Sequence, residues 1–414
     1  MGSSQNSNMS VEVVVAGGGM AGMTMGLALA KAGVSTAVIE MQPADTLRNA
    51  GFDGRTSAIA YGSQQIFDGI GIWDDLVGRA EPIRAIRIAD GTLNEGPSSL
   101  FLHYDRLDVD SDALGYILEN RDIRDALLSA AATTAAFHLL APARVAGAKR
   151  NSGGVDVELD DGRRISAQLL IAADGKNSPL RQEAGIRATR FDYPQTAIVC
   201  TVAHARPHDG VAVELFLPSG PFAMLPMTGQ RSNIVWSERS ELAQQILALD
   251  DDAFYDELHR RFGDWLGDIR VEGPRFSFPL GLMHAERYTD RRLALIGEAA
   301  HVIHPIAGQG LNLGLRDVAA LAESIVDARR LGLDIGSGEV LARYERWRRF
   351  DNVLMATSMD ALNRLFSNDI GPLRLARDLG LAAVNRMPPL KRFFMRHAMG
   401  VVGDLPRLVR GEPL

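Results

Sequence analysis

Between a β-branched run and a stretch of small apolar residues the chain reads Gly17-Gly18-Gly19-Met20-Ala21-Gly22. This G-x-G-x-x-G spacing predicts a strand, a tight turn and a helix. Val11, Val13, Val14 and Val15 form a strand buried on both faces, Thr24 to Ala32 supply the helix, and Gly33 ends it before a second strand at Thr36 to Ile39. Gly17 permits the turn, Gly19 lets a pyrophosphate approach the backbone, and Gly22 lets helix and strand pack closely. The helix N-terminus offers free amides to an anion. Glu40, closing the second strand, is placed to accept hydrogen bonds from an adenosine ribose. The pattern demands a dinucleotide and leaves FAD and NAD both open.

The rest of the chain bounds the answer. Its 414 residues, 46% hydrophobic and 23% charged, are enough for two or three domains at about 150 residues each. A net charge of −7 argues against a surface built to hold nucleic acid. Cys200 is the single cysteine, which rules out an intrachain disulfide, a cysteine zinc site or an iron–sulfur cluster and fits a reducing, cytoplasmic setting. Met1 to Asn8 are polar and lack the basic start and apolar stretch of a secretory signal. Val13 to Ala30 is uncharged and long enough to mimic a membrane span, but its glycines belong to the fingerprint, so no transmembrane helix is expected. His301 and His304 stand three apart without a third ligand nearby, so no metal is expected.

Further along, Arg144 to Leu170 reads as a hairpin or three-stranded meander, with turns at Asn151 to Gly154 and Asp161-Gly162. Ala197–Val202, Val211–Phe216, Phe222–Leu225 and Asn233–Trp236 predict a mostly antiparallel sheet in a second domain. Arg292 to Ile296 returns to a buried-strand pattern, and a helix begins near Leu311, so the chain comes back to its first domain. After Val340 the pattern is helical.

Two later segments decide between the dinucleotides. Leu169 to Arg181 reads LLIAADGKNSPLR, a strand delivering Asp174-Gly175 to a turn before a Ser-Pro helix start. Arg292 to Asp317 reads RLALIGEAAHVIHPIAGQGLNLGLRD, a strand ending at Glu298 and a Pro/Gly loop running into a helix. With these the sequence resembles the class A flavoprotein aromatic monooxygenases, marked by G-x-G-x-x-G, a D-G motif and a G-D motif. The stretch from His304 to Asp317, F-D-G-R-T-S-A-I-A from Phe52 to Ala60 and E-N-R-D-I-R-D-A-L from Glu119 to Leu127 make it similar to the ubiquinone-biosynthesis hydroxylases of the UbiH/UbiF/UbiI type, over about residues 10 to 410. One departure stands out: Glu298 replaces the usual Asp of the G-D motif.

The resemblance implies an α/β fold, a Rossmann-type FAD-binding domain interleaved with an α+β substrate domain of the 4-hydroxybenzoate hydroxylase kind, plus a helical C-terminal region. Its boundaries are expected at 10–80, 110–185 and 285–335 for the FAD domain, 81–109 and 186–284 for the substrate domain, and 336–414 for the helical region. It implies that Gly17, Gly19, Met20, Ala21, Gly22 and Glu40 hold the ADP half of FAD, with Val145 alongside. Arg55 and Arg121 would face the pyrophosphate, although Arg121 could instead pair with Asp125 on its own helix. Asp174 would lie near the dinucleotide path and Glu298 would accept from the ribityl hydroxyls. Amides around Gly308, Gln309, Gly310, Leu311 and Asn312 would stabilise negative charge on the reduced flavin.

The implied reaction is hydroxylation of a polyprenylated phenol in ubiquinone biosynthesis, with NAD(P)H as transient co-substrate, O₂ as oxidant and a C4a-hydroperoxyflavin as oxygen donor. No second glycine fingerprint follows, which fits NAD(P)H bound in a groove. An apolar pocket is expected between the flavin loop at Pro305 and the second sheet, with Phe216, Phe222, Leu225 and Pro226 as candidate walls. Two alternatives stay open: a hydroxylase of another soluble aromatic or polyketide substrate, and a non-catalytic flavin-binding accessory protein of a biosynthetic complex. In the C-terminal segment, Leu390, Phe393, Phe394, Met395 and Met399 mix with Lys391, Arg392 and Arg396. Such a helix either packs on the body of the enzyme or lies on the inner face of a membrane, beside other ubiquinone-biosynthesis proteins.

Overall fold

The computed structural model describes residues 8–48, 51 and 54–414. Val13–Ala16 forms the central strand of a sheet, with all four residues buried. The helix Met20–Lys31 leaves its end directly, and Thr36–Ile39 returns beside it in parallel. Gly33 sits at φ +81°, the left-handed backbone that ends the helix. The six-stranded sheet then draws strands from distant parts of the chain. In spatial order they are Phe137–Leu140, Thr36–Ile39, Val13–Ala16, Leu169–Ala172, Leu293–Leu295 and Thr289–Asp290. The four interior strands are parallel, so their C-terminal ends, and the loops after them, meet along one edge.

Val145–Arg150, Val155–Leu159 and Arg164–Ala167 form the antiparallel meander foreseen from the turn residues. Asn8–Ser10 adds a parallel edge strand to it. Alternation along Val155–Leu159 is strict, with Val155, Val157 and Leu159 buried and the residues between them exposed.

The second large sheet is built on Ala188–His204, Val211–Leu217, Gly220–Met227, Arg231–Arg239 and Ile269–Ala285. Ala188–His204 and Gly220–Met227 outrun the stretches expected from sequence because Pro194, Gly220, Pro221 and Pro226 lie inside them rather than between them. Pairing is antiparallel except between Val211–Leu217 and Ala85–Thr92, which run parallel. One face is covered by the helices Ser240–Leu247 and Asp251–Phe262, burying Ile198, Cys200, Phe222, Ile234, Trp236 and Phe254. The other face meets the strand Thr56–Ala60, which pairs with Gly115–Glu119 in a small separate sheet: Asn233 Nδ2 donates to the Gly54 carbonyl at 2.9 Å, and Thr56 Oγ1 donates to Asn233 Oδ1 at 3.1 Å.

The long helix Gln309–Arg330 packs on Met20–Lys31 and on Gly338–Phe366. Gly371–Arg386 and Pro388–Met399 complete the C-terminal region. Among the described residues no helix is long and apolar enough to cross a membrane.

Candidate active site

Three glycines of the first turn have three different surroundings. A Cβ added at Gly17 (φ +108°) would fall 2.2 Å from the Ala173 carbonyl oxygen, and one at Gly22 would fall 1.9 Å from the Gly17 oxygen. Both positions are closed by backbone. A Cβ on Gly19 meets nothing within 4 Å among the described residues, so that side of the turn is open to them, as an approaching pyrophosphate requires. The helix that follows has no side-chain N-cap and no acid in its first turn. Its amides at Met20, Ala21 and Gly22 therefore face that opening with the positive end of the helix dipole. Glu40 Oε2 accepts the Gly18 amide at 2.8 Å and Oε1 accepts the Gln42 amide at 2.8 Å. The carboxylate is held at the turn with lone pairs to spare. The backbone of Glu40 bonds Leu140 and Ala143, which carries half-buried Val145 past the same edge.

The contact between Gly17 and Ala173 brings Asp174 to this turn. Leu180 donates its amide to Asp174 Oδ2 at 3.3 Å, while Oδ1 is buried with no hydrogen-bond partner among the described residues. Burial pushes this carboxyl above its usual range. A buried acceptor left open at the dinucleotide-binding edge suits a ligand hydroxyl. Ser178 caps the helix Pro179–Glu183 as read from sequence, its Oγ accepting the Arg181 amide at 3.0 Å.

Gly297 meets the other two elements. A Cβ there would lie 3.4 Å from Ala21 Cβ and 3.9 Å from Gly314 Cα. The G-E segment, the fingerprint helix and the Gln309–Arg330 helix thus converge, and Glu298 projects exposed beside them. Gly308 (φ +61°) precedes the second of these helices, which again lacks a side-chain cap and an acid in its first turn. Its orphan amides at Gln309, Gly310, Leu311 and Asn312 are available to a ligand. The Asn312 side chain is otherwise engaged: Oδ1 accepts the Ala60 amide at 2.9 Å and Nδ2 donates to the carbonyls of Ala58 at 2.8 Å and Gly308 at 3.0 Å. It locks the flavin loop to the strand Thr56–Ala60.

Arg55 and Arg121 come together at the ends of paired strands, since Asn120 donates its amide to the Arg55 carbonyl at 3.1 Å. Arg55 lies 5.6 Å over the Phe278 ring. Arg121 pairs with Glu119 at 2.6 Å, while Asp125 lies 3.9 Å from Arg79. Phe52 and Asp53 of the quoted motif lie outside the described residues.

The candidate pocket walls divide. Phe216 packs against Ile306 of the flavin loop and stacks on Phe366 at 4.2 Å between centroids. Leu225 joins Met395, Met399 and Ala58 on the same face, next to Pro305–Gly308. Phe222 does not: it faces the helix-covered core with Trp236 and Phe254, and alternation along Gly220–Met227 places Pro226 with it. Both residues leave the list of walls.

Sequence reasoning missed the group beneath the loop. Asp317 is fully buried and accepts from the Gly297 amide at 3.1 Å, His301 Nε2 at 2.5 Å, Arg348 Nε at 3.0 Å and Asn352 Nδ2 at 3.0 Å. Burial alone would raise its pKa, but His301 and Arg348 hold the carboxyl down at about 2. An acid on the apolar face of a helix, between Leu313, Val318 and Leu321, was the available signal. His304 turns elsewhere, edge-on to Tyr193 at 5.2 Å.

Residues 10–350 match the family model described as FAD binding domain. The chain belongs to that family. FAD is its cofactor, and the described turn, open acceptor and uncapped helix ends fit such a group. The chain is 53% identical to the ubiquinone hydroxylase UbiL of Rhodospirillum rubrum over 97% of this chain and 93% of that protein. It is 34% identical to the 3-demethoxyubiquinol 3-hydroxylase of Escherichia coli over 95% of this chain and 100% of that one. Among solved structures, the p-nitrophenol 4-monooxygenase of Pseudomonas putida superposes with a TM-score of 0.77 at 19% identity, covering 94% of this chain and 98% of that one. The fold is that of the flavin-dependent monooxygenases.

Proposed function

We propose that the enzyme hydroxylates the aromatic ring of a polyprenylated phenol in ubiquinone biosynthesis, using NAD(P)H and O₂. The observation that carries this reading is the pair of apolar clusters beside the flavin loop. Phe216, Ile306 and Phe366 make one, and Leu225, Tyr104, Met395 and Met399 the other. They continue the cofactor-side face of the second sheet toward the C-terminal helices, an apolar path suited to a ring and its prenyl tail.

Gly17, Gly19, Gly22 and Glu40 would hold the ADP half of FAD, Asp174 and Glu298 its middle, and the Gln309–Asn312 amides its flavin end. Bound there, FAD supplies electron transfer from NAD(P)H and activation of O₂. The amides of Gln309–Asn312 stabilise negative charge as electrons arrive. Phe216 and Ile306 exclude water and hold the ring in place. Product analysis after anaerobic reduction and oxygen addition, with prenylphenols offered, tests the reading. A holoenzyme that hydroxylates none of them sinks it.

The same reading places the enzyme at a membrane surface. Leu375 and Leu379 on one helix, Met387 at the junction and Phe393 and Phe394 on the next are exposed, and Arg392 and Arg396 are exposed on the second helix. The opposite side of Pro388–Met399 packs on the body through Met395 and Met399. An apolar strip edged by arginines suits an anionic bilayer, from which such a substrate would come. Cosedimentation with anionic vesicles, lost on Phe393→Ser/Phe394→Ser, checks it.

A further inference from the structure

From Val211 to Met227 the chain carries one charged residue, Glu214. Its strand turns Val213, Leu215 and Leu217 into the helix-covered core. Ala212, Glu214 and Phe216 therefore look to the cofactor side. Phe216 packs there on Ile306, and Ala212 joins Leu225 and Met399. Glu214 stands between the two clusters proposed above as the ring's path. Across the ladder its partners are Ala223 on one side and Ile88 on the other, and Ile88 packs into both clusters. Glu214 is half-buried, and among the described residues no hydrogen bond or ion pair reaches its carboxyl. Even partial burial of an unpaired acid costs stability and gives the sheet nothing in return.

We propose that Glu214 is the catalytic base that takes the phenolic proton of the ring being hydroxylated. The assignment rests on the hydroxylase reading. The phenol O–H bond breaks, its proton goes to a carboxylate oxygen, and the bonding pair enters the ring. The ring carbon so enriched attacks one oxygen atom of O₂ that has received two electrons from NAD(P)H; as the C–O bond forms the O–O bond breaks, and the other oxygen atom leaves as water. That carbon then loses its own proton, the phenol oxygen regains one from Glu214, and the carboxylate ends as it began.

Burial pushes the Glu214 carboxyl up to about 7, so near neutral pH it exists in both forms and is a stronger base than an ordinary glutamate. Among the other ionisable groups near this face, Asp378 of the Gly371–Arg386 helix lies close enough to Asp90 to raise its pKa, and its Oδ1 is buried with no hydrogen-bond partner among the described residues. Asp90, on the neighbouring strand, is paired with Arg377 of the Gly371–Arg386 helix at 2.7 Å. Burial pushes the Tyr104 phenol to about 12, so it stays neutral. The flavin loop and the Pro388–Met399 helix bring Ile306, Met395 and Met399.

The test uses FAD-loaded enzyme, geranylphenol and its methyl ether, with wild type, Glu214→Gln and Glu214→Asp. Equilibrium binding to the oxidised enzyme comes first. Wild type should prefer the phenol over the ether by about 10-fold or more, and only above pH about 7, where the carboxylate can accept the hydroxyl. Glu214→Gln should lose this pH step while keeping FAD and an unchanged or higher Tm. Its hydroxylation rate at neutral pH should fall by about 10²- to 10⁴-fold, with partial recovery at alkaline pH and in Glu214→Asp. A Gln variant that keeps the pH step and the rate overturns the assignment alone. A wild type that hydroxylates no prenylphenol overturns the reading beneath it.

Discussion

Asp317 Oδ2 lies 2.5 Å from His301 Nε2, and neither side chain is more than 2% exposed. The pair joins the helix Gln309–Arg330 to the segment that follows the strand Leu293–Leu295, and the same oxygen accepts the Gly297 amide. Arg348 and Asn352 hold the other oxygen. Asp317 is therefore the post on which both flavin-side loops are mounted. Removing one partner of a buried ion pair strands the other charge, at a cost of about 3–5 kcal/mol. Asp317→Ala should lose that much in urea denaturation and release FAD. Asp317→Asn keeps one acceptor and should lose less. Unchanged stability in the Ala variant would show that the network contributes nothing.

The fingerprint glycines predict opposite failures. Gly19 has ordinary extended backbone and open space where a Cβ would go, so Gly19→Val should fold with an unchanged Tm and bind no FAD. Gly22→Val puts its Cβ into the Gly17 carbonyl and should not reach the native fold. Apo Gly19→Val with the circular dichroism of wild type, beside insoluble Gly22→Val, is the expected result. A folded Gly19→Val holding stoichiometric FAD would remove the turn from the site.

Local rules made the first βαβ unit legible. A β-branched run, a glycine turn and an acidic residue closing the next strand each demand one backbone conformation; Val13–Ala16 and Thr36–Ile39 appear where read, and the helix Met20–Lys31 begins four residues before the Thr24 read from sequence. The second sheet resisted for a physical reason. Val211–Leu217 and Gly220–Met227 are apolar at nearly every position because helices cover one face and the cofactor side the other, so alternation does not say which face is which. Phe222 and Phe216 look equivalent in sequence and point oppositely in the fold. Asp317 was hidden because its partners, from His301 to Asn352, are gathered only by the packing of two helices.

Acid should destabilise the enzyme in two stages. Burial lowers His304 to about 4 from an ordinary 6.5. The unfolded chain therefore takes up this proton first, and stability complete above pH 6.5 is lost as pH falls toward 4. For a side chain wholly out of solvent, that loss is up to about 3 kcal/mol. Asp317 works lower: its folded pKa near 2 lies below the ordinary 3.8, so its contribution is present above 3.8 and is lost as pH falls through 2. Burial lowers His284 to about 4 as well, so His304→Phe, which keeps a ring against Tyr193, should shrink the first stage without abolishing it and leave the second unchanged. Urea midpoints at pH 7 and pH 4.5 measure it, and an equal drop in both proteins would show that His304 does not titrate in this window.

Glu298 sets the sharpest test of the cofactor's middle. It sits exposed on the short turn Gly297–Ala299, immediately after the strand Leu293–Leu295 and beside the meeting of Ala21 with Gly314. The turn is anchored from below through the Gly297 amide on Asp317, so the direction of this side chain is set by packing rather than by its own contacts. If its carboxylate accepts from the ribityl hydroxyls, Glu298→Ala should weaken FAD binding about 5- to 150-fold, the loss of one or two hydrogen bonds to a charged acceptor. Glu298→Asp keeps the charge on a shorter arm and should retain most of the affinity. The global fold should be untouched in both, because the side chain is exposed. Titrating FAD into the apo proteins while following flavin fluorescence separates the outcomes. Equal affinity in Glu298→Ala and wild type would mean that the longer side chain points away, and that water or a neighbouring amide holds the ribityl chain instead.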